Sequence, residues 1–301
     1  MKLLLTAAVA CAAALFPGGT CSAEAVSARD PRLAAAIPSI EAAIAKSGAD
    51  VAVAFRTLDG RSSWFLRADE PFHAASTMKV PVLIELYHQA HQGKLRLEDT
   101  LVIRNAFSSL VDGSAYSLDA SDDSEADLYR AVGGTRTLAQ LSELMITVSS
   151  NLATNLLIER LGVDNIQRGV HALGADGMKV LRGVEDTKAF EAGLNNTTTA
   201  RALARLLQAV ADGEAVDPAS SRAMSAILER QTFNDGIPAG LPPGTRVAHK
   251  TGDITRIQHD AAIVYAPRPF VLVVLTRGVA EQKESYALIA GITRQLYAAA
   301  Q

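Results

Sequence analysis

The chain has 301 residues, of which 49% are apolar and 20% charged, a composition typical of a globular protein rather than a disordered or fibrous one. Its formal net charge of −3 argues against nucleic acid as a partner. A chain of this length can bury a sizeable core, so we expect one large domain or two closely packed lobes.

The first residues predict a secretory signal peptide. An early lysine is followed by an apolar run from Leu3 to Phe16 and by small residues that end at Ala23. This run is shorter than the roughly 20 residues that a membrane-spanning helix needs. We therefore predict a signal peptide over residues 1–23, export to the periplasm or the medium, and no stable membrane insertion. Both cysteines lie in this segment, so no disulfide is expected in the mature chain.

Helix and strand patterns alternate along the rest of the chain. Helical spacing over about residues 30–46 is followed by a predicted β-hairpin with its turn at Asp59-Gly60. Mainly helical patterns continue to about Leu181, and strand patterns then return before a closing helix. The later predicted elements are helices at 80–91, 138–147 and 152–161, strands at 246–251, 260–265 and 270–276, and a helix at 283–298.

This order predicts an α+β fold in which an all-helical lobe is inserted into an antiparallel sheet flanked by helices. We expect one domain over residues 24–301, with a sheet lobe at about 24–68 and 200–301 and a helical lobe at about 69–199. The seam between the lobes is the expected position of a functional site. The least regular segment, 111–127, is rich in acidic residues. We predict a surface loop there, or alternatively a rim that controls substrate access, with Tyr116 as a stacking wall.

The segment Ser76-Thr77-Met78-Lys79 opens an apolar helical pattern with a hydroxyl and an amine one helical turn apart. A serine hydroxyl is a poor nucleophile without a base, and a lysine can serve if its pKa is lowered. A helix N-terminus also favours negative charge that develops there. The pattern predicts an activated serine, although an N-capping serine with a solvated lysine has the same spacing.

Two further motifs follow in order. Ser-Ser-Asn at 149–151 interrupts a helical pattern, and Lys-Thr-Gly at 250–252 lies between predicted strands. Together with the motif of Ser76, this set resembles the serine β-lactamase and penicillin-binding protein superfamily, and class A β-lactamases in particular. The resemblance covers about residues 37–297. It implies a two-lobe β-lactamase-like fold and an acyl-serine reaction that needs neither a metal ion nor an organic cofactor.

The resemblance implies a role for each motif residue. Ser76 would attack an amide carbonyl, Lys79 would accept or relay its proton, and Ser149 would pass a proton to the leaving nitrogen. Backbone N–H groups of Ser76 and Asp253 would hold the oxyanion. The residues implied in substrate binding are Asn151, Lys250, Thr251, Gly252 and Asp253.

The second motif departs from the class A pattern because Ser150 replaces an aspartate, and we expect a supporting hydrogen bond or charge contact to be lost there. Arg256 is the nearest arginine after the third motif. It is a candidate for binding the substrate carboxylate, with a surface role as the alternative.

Rapid hydrolysis of the acyl-enzyme needs a base that activates water, and two glutamates are candidates. Glu185 lies 36 positions after Ser149 (185 − 149), the spacing that the resemblance implies, and is our first choice. Glu191 is followed four residues later by Asn195, a pair that could position water, but this alternative needs a much shortened loop. With Glu185 as the base, Asn195 or Asn196 would be needed to hold the water.

The sequence therefore predicts a serine hydrolase of class A β-lactamase type that opens the β-lactam ring. One alternative is a D,D-peptidase or penicillin-binding protein acting on D-Ala-D-Ala peptides, and another is a penicillin-sensing module that is acylated once. The expected partner is a small-molecule β-lactam or a cell-wall peptide, and we expect a monomer. His88 and His91 lie one helical turn apart without a supporting ligand pattern, so no metal site is predicted.

Overall fold

The computed structural model describes residues 30–301, which contain ten α-helices and eleven strands. The predicted signal peptide, 1–23, lies outside these residues. The helices are α1 (Pro31–Ser47), α2 (Lys79–His91), α3 (Ala126–Arg130), α4 (Leu138–Thr147), α5 (Asn151–Leu161), α6 (Val163–Ala172), α7 (Thr187–Glu191), α8 (Ala200–Asp212), α9 (Pro218–Leu228) and α10 (Gln282–Ala300). The strands are β1 (Asp50–Thr57), β2 (Ser63–Leu66), β3 (Phe72–His73), β4 (Thr100–Val102), β5 (Phe107–Ser108), β6 (Ala115–Tyr116), β7 (Thr135–Thr137), β8 (Thr197–Thr198), β9 (Arg246–Ile254), β10 (Ile257–Tyr265) and β11 (Phe270–Arg277).

Five of these strands form one antiparallel sheet in the order β2-β1-β11-β10-β9. The sheet joins the N-terminal hairpin to the three C-terminal strands, which confirms the predicted α+β arrangement. Three short two-stranded ladders, β3 with β8, β4 with β7, and β5 with β6, were not predicted. Because β9 is the edge strand, its free side can face the helical lobe.

Both faces of the sheet are buried, and alternate residues of one strand enter different cores. Val53 and Phe55 of β1 pack with α1 and α10, whereas Ala52 and Ala54 face the other core, which includes α8 and the helical lobe. A sheet covered on both faces needs apolar residues at successive positions, and β11, with the sequence FVLVVLTR, meets this need. The central strands therefore hold the site-bearing edge strand in a rigid frame.

Helix α2 occupies the centre of the helical lobe. It packs against α4, α5, α6 and α9 and is buried on nearly every side. Six of the seven residues at 80–86 are apolar, as expected for a helix in such a position. Its first residue is Lys79, so the helix places an amine at the seam between the two lobes.

Helices α8 and α9 were not predicted, although α8 has apolar residues at helical spacing, at Leu203, Leu206, Leu207 and Val210. These residues pack α8 against the sheet, which agrees with the predicted sheet flanked by helices, although no helix was assigned to this segment. Within residues 30–301, no helix has the length and apolar character needed to cross a membrane.

Candidate active site

Ser76 lies in a short 3₁₀ turn, Ala75–Met78, immediately before α2. The sequence predicted the first turn of an α-helix, and the difference arises at Ala75, whose φ of 45° is left-handed. Such a conformation costs about 1–3 kcal/mol for a non-glycine residue and is concentrated at functional sites. The Thr77 N–H and hydroxyl both donate to the Ala74 carbonyl, at 3.1 and 2.6 Å. Ser76 is half-buried, whereas Thr77 and the rest of the turn are buried.

Two histidines fix this turn, and sequence reasoning assigned neither of them a role. The Ala75 N–H donates to His73 Nδ1 at 3.0 Å, and His259 Nε2 donates to the His73 carbonyl at 2.9 Å. Burial lowers the pKa of His259 to about 4, so its ring is neutral near pH 7. A neutral ring can also accept the Thr276 N–H through Nδ1, at 3.1 Å. The sheet thus holds the segment that carries the serine.

Lys79 Nζ is directed at the second motif. It donates to the Ser149 carbonyl at 2.6 Å, to Ser149 Oγ at 3.1 Å and to Asn151 Oδ1 at 2.8 Å. The side chain is fully buried, and this burial lowers the pKa of Lys79 to about 7, against the opposing charges of Asp123 and Glu185. A substantial fraction of Lys79 is therefore neutral near pH 7 and able to accept a proton.

Lys250 reaches the same hydroxyl from the edge strand β9. Its Nζ donates to Ser149 Oγ at 3.0 Å and to the Thr251 carbonyl at 2.9 Å. Burial lowers the pKa of Lys250 well below its usual range, and the charge of Lys79 lowers it further. Ser149 itself has a φ of 60°, a second left-handed residue at the site. The three motifs therefore meet at one hydroxyl oxygen.

Gly252 allows β9 to pass close to the serine turn. A Cβ at this position would lie 3.0 Å from Thr77 Cγ2 and 3.2 Å from Ala75 Cβ. The next residue, Asp253, is exposed, and its carboxylate accepts hydrogen bonds from Gln282 and from the Tyr286 hydroxyl. The glycine therefore brings the backbone of Asp253 towards Ser76.

Arg256 does not face the cleft in this structure. It is exposed, and its guanidinium donates to the Gly278 carbonyl at 2.7 Å. These contacts correspond to the surface role that the sequence left open for it.

The structure places Glu185, rather than Glu191, beside the motif residues. Asn151 Nδ2 donates to Glu185 Oε1 at 2.6 Å. Burial raises the pKa of Glu185, while the hydrogen bond from Asn151 opposes that rise. Glu185 is also left-handed, with a φ of 61°. Glu191 is exposed at the end of α7.

The segment that carries Glu185 is fixed by a side chain that sequence reasoning missed. Asn155 Oδ1 accepts the Val184 N–H at 2.6 Å, and its Nδ2 donates to the Val184 carbonyl at 3.0 Å. The Tyr116 hydroxyl donates to the same carbonyl at 3.3 Å, and its ring packs on Phe107. Tyr116 therefore also stabilises the loop that carries Glu185. Asn155 follows Asn151 by four positions on α5, a spacing that puts both on one helix face and that could have identified it.

Of the two asparagines proposed as water holders, Asn196 has both ends of its side-chain amide engaged by the loop. Asn196 is buried, and its Oδ1 accepts the N–H groups of Leu181 and Arg182, at 2.8 and 3.2 Å. Asn195 Oδ1 accepts from Arg182 Nη2 at 3.0 Å. Asn195 also borders the cavity that contains Glu185, so its role in holding water stays a prediction.

The expected loss of a contact at the second motif is not what the structure shows. Ser150 is buried and caps α5, since its Oγ accepts the Ala153 N–H at 3.3 Å. The carboxylate of Asp123, from the acidic segment, lies beside it at 3.2 Å. Two neighbours in that segment, Asp122 and Ser124, line the cleft, so the segment forms a rim of the site.

Ser76 opens into two adjoining cavities. One, of about 440 Å³, is bordered by polar and acidic groups. The other, of about 610 Å³, lies between the loop of Glu185 and the β9–β10 turn and includes apolar side chains. The first is lined by residues that include Asp122, Phe233, Asp235, Thr251 and Asp253, and the second by residues that include Glu185, Phe190, Asn195 and Ile254. Within residues 30–301, no group of three or more potential metal ligands is clustered.

Comparison with known proteins gives consistent matches. The model of the family described as "Beta-lactamase enzyme family" matches residues 34–300. The β-lactamase of Streptomyces albus G is 32% identical over 146 residues, which are 46% of this chain and 46% of that protein. The β-lactamase Toho-1 of Escherichia coli is 29% identical over 79% of this chain and 78% of that protein. The chain thus spans about half the length of the first of these relatives and about four fifths of the second.

Solved structures with similar folds cover most of the chain. A β-lactamase from Sphaerobacter thermophilus DSM 20745 superposes with a TM-score of 0.75 at 27% identity, over 89% of this chain and 96% of that one. A mutant of PBP-A, described as an acyl-enzyme complex with penicillin G, gives the same TM-score and coverage at 28% identity.

Proposed function

The chain belongs to the beta-lactamase enzyme family, and we propose that it is a class A serine β-lactamase that hydrolyses the β-lactam amide through an acyl-serine intermediate. One observation carries this proposal. The Asn151 side chain binds Lys79 Nζ at 2.8 Å and Glu185 Oε1 at 2.6 Å, and Asn151 borders both cavities that Ser76 borders. The site therefore contains both a base for acylation and a separate base for hydrolysis of the acyl-enzyme.

In the acylation step, Ser76 Oγ attacks the β-lactam carbonyl and neutral Lys79 accepts its proton. The carbonyl oxygen becomes an oxyanion, for which the backbone N–H groups of Ser76 and Asp253 are the proposed donors. The C–N bond then breaks, and the ring nitrogen receives a proton from Ser149. Ser149 regains a proton from one of the two lysines that contact its hydroxyl.

In the hydrolysis step, the Glu185 carboxylate takes a proton from water as the water oxygen attacks the acyl carbonyl. The ester C–O bond breaks, the proton that Glu185 took from water is returned to Ser76 Oγ, and the product acid leaves. The carboxylate must be ionised to act in this way. Because its pKa is raised, ionised Glu185 is a stronger base than an exposed glutamate. The hydrogen bond from Asn151 holds it in the cleft.

The proposed partner is a β-lactam with a carboxylate, which Lys250 and Thr251 would bind. We also propose that the protein is exported and acts as a monomer. The pattern at residues 1–23 supports export, and the meeting of all three motifs within one chain supports a site that needs no second copy.

The experiment that tests the function compares two substrates. Purified protein is mixed with benzylpenicillin and, separately, with a peptide ending in D-Ala-D-Ala, and product is followed by chromatography. The proposal predicts catalytic hydrolysis of benzylpenicillin and a much slower reaction of the peptide. Ser76→Ala is the control, and it should remove both reactions. Faster release of D-alanine than of hydrolysed penicillin would favour the D,D-peptidase alternative.

A further inference from the structure

The N-terminus of α5 is bound by a carboxylate from a distant part of the chain. Asp123 Oδ2 accepts the backbone N–H groups of Asn151 and Leu152, at 2.8 and 2.9 Å. It also accepts the hydroxyl groups of Ser150 and Tyr129, at 3.2 and 3.0 Å. One oxygen atom therefore receives four donors, two of them from the second motif itself.

These contacts provide hydrogen-bond acceptors for the first N–H groups of α5. The first N–H groups of a helix have no partner within it, and a negative charge there interacts favourably with the helix dipole. The motif lacks its own acidic residue, because Ser150 stands where class A enzymes have aspartate. The hydroxyl of Ser150 lies only 3.2 Å from the Asp123 carboxylate, so a carboxylate at position 150 would enter the same space.

We propose that Asp123 is a positioning residue of the active site, and that it supplies from the acidic segment 111–127 the carboxylate that the second motif lacks. This inference rests on the proposed function and adds a residue to its machinery. The acidic segment, predicted first as a surface loop, is therefore part of the catalytic framework.

Short contacts connect Asp123 to the groups that react. Asp123 holds the backbone of Asn151, and the Asn151 side chain binds both Lys79 and Glu185. Ser149, which precedes this helix end, has a left-handed backbone that must be stabilised by its surroundings. Loss of the Asp123 contacts would therefore loosen the hydroxyl, the amide and both bases together.

The charge of Asp123 also acts on the two bases. It raises the pKa of Lys79, against the larger effect of burial, and it raises the pKa of Glu185. Removal of this charge should lower both pKa values, whereas a purely structural contact would leave them unchanged. The pH dependence of acylation therefore separates the two roles.

The first test replaces the carboxylate with its neutral isostere. Asp123→Asn should reduce the rate of acylation by benzylpenicillin by about 10²-fold, the loss typical of an ångström-scale misplacement. The acid limb of its pH profile should also move to lower pH, because Lys79 becomes easier to deprotonate. The matched control is Asp127→Asn, which removes one negative charge from the same segment. The Asp127 side chain is 74% exposed and pairs with Arg130. A rate for Asp123→Asn within threefold of the control would overturn the proposal.

The second test moves the carboxylate back into the motif. Ser150→Asp alone should be damaging, because two carboxylates would then share one small site. In the Asp123→Asn background, the same Ser150→Asp change should restore most of the lost acylation rate. Ser150→Asp would then lower the acylation rate in the wild type and raise it in Asp123→Asn, as expected only if the two carboxylates occupy the same place. Additive effects of the two substitutions would contradict the proposal.

Two further measurements separate a folding defect from a loss of activity, and failure of the proposed function from failure of the role of Asp123. If Asp123→Asn does not fold, as judged by circular dichroism, the double variant decides, and a folded double variant without activity overturns the proposal. The pKa of Lys79 is measured by ¹³C NMR of lysine-labelled protein, which needs no turnover. Failure of the wild type to hydrolyse penicillin would count against the proposed function alone, whereas an unchanged Lys79 pKa in Asp123→Asn would count against the role of Asp123.

Discussion

The hydroxyl oxygen of Ser149 lies 3.0 Å from the side-chain nitrogen of Lys250. The nitrogen of Lys79 lies 3.1 Å from the same oxygen, on a side chain that is also fully buried. Two positive charges so close together in a buried site disfavour each other, which promotes the neutral form of at least one lysine. Ser149 is thus placed to pass a proton between the lysines and a leaving nitrogen.

Ser149→Ala should reduce kcat/KM for benzylpenicillin by about 10²- to 10⁴-fold, since it removes the proton path to the leaving nitrogen. The measurement is steady-state hydrolysis by absorbance. Ser142→Ala is a matched control, because Ser142 is a buried serine of α4 whose hydroxyl donates only to the Ala139 carbonyl. Equal activity of the two variants would show that Ser149 is not needed for proton transfer.

The rate of acylation should rise with pH with an apparent pKa near 7. Burial lowers the pKa of Lys79 to about 7, and only its neutral form can accept the proton of Ser76. Single-turnover labelling between about pH 5 and about pH 9 measures this profile. Lys79→Arg, which stays charged throughout, should be inactive across the range. A wild-type rate independent of pH across that interval is the result that would exclude Lys79 as the base.

Glu185→Gln should form the acyl-enzyme but hydrolyse it about 10²- to 10⁴-fold more slowly, because it lacks the base that activates water. Intact mass spectrometry should then detect a stable adduct on the variant. Glu191→Gln is the matched control, and it should turn over like the wild type because Glu191 is exposed. Accumulation of adduct in Glu191→Gln instead would reverse the assignment.

Gly252→Ala should weaken the enzyme, because the new Cβ would lie 3.0 Å from Thr77 Cγ2 and 3.2 Å from Ala75 Cβ. We expect a loss of about 1–3 kcal/mol of stability, as for overpacking of a filled core, together with a lower acylation rate. Gly291→Ala in α10 is the contrasting substitution, since its Cβ would meet no atom within 4 Å. It should stabilise the helix by up to about 1 kcal/mol. Urea unfolding of both variants tests the difference.

His259 should make stability depend on pH between 6.5 and about 4. Burial lowers its folded pKa from 6.5 to about 4, so the unfolded chain takes up the proton first as the pH falls. The contribution is therefore fully present above pH 6.5 and is lost as the pH falls towards 4, by on the order of 3 kcal/mol in total. His259→Gln should remove this part of the slope, as measured by urea unfolding at several pH values. A slope identical to that of the wild type would show that His259 does not titrate in this way.

The sequence predicted the elements that have a strong pattern and the motifs that are short and local. The helices containing Leu138 and Leu152 and the last three strands begin and end within a few residues of their predicted positions. Asn155 could have been found from its spacing to Asn151. The role of Asp123 could not, because its contact with Asn151 spans 28 residues and depends on how the acidic segment folds. The left-handed turn at Ala75 also depends on a distant partner, because His259 contacts the His73 carbonyl across 186 residues of chain.

A time course with excess benzylpenicillin tests whether the protein turns over, when ring opening is followed by absorbance and acylation by intact mass in the same samples. We predict many turnovers per enzyme molecule, with an adduct on Ser76 that disappears when the substrate is exhausted. A single stoichiometric adduct that persists, without further ring opening, would contradict the account.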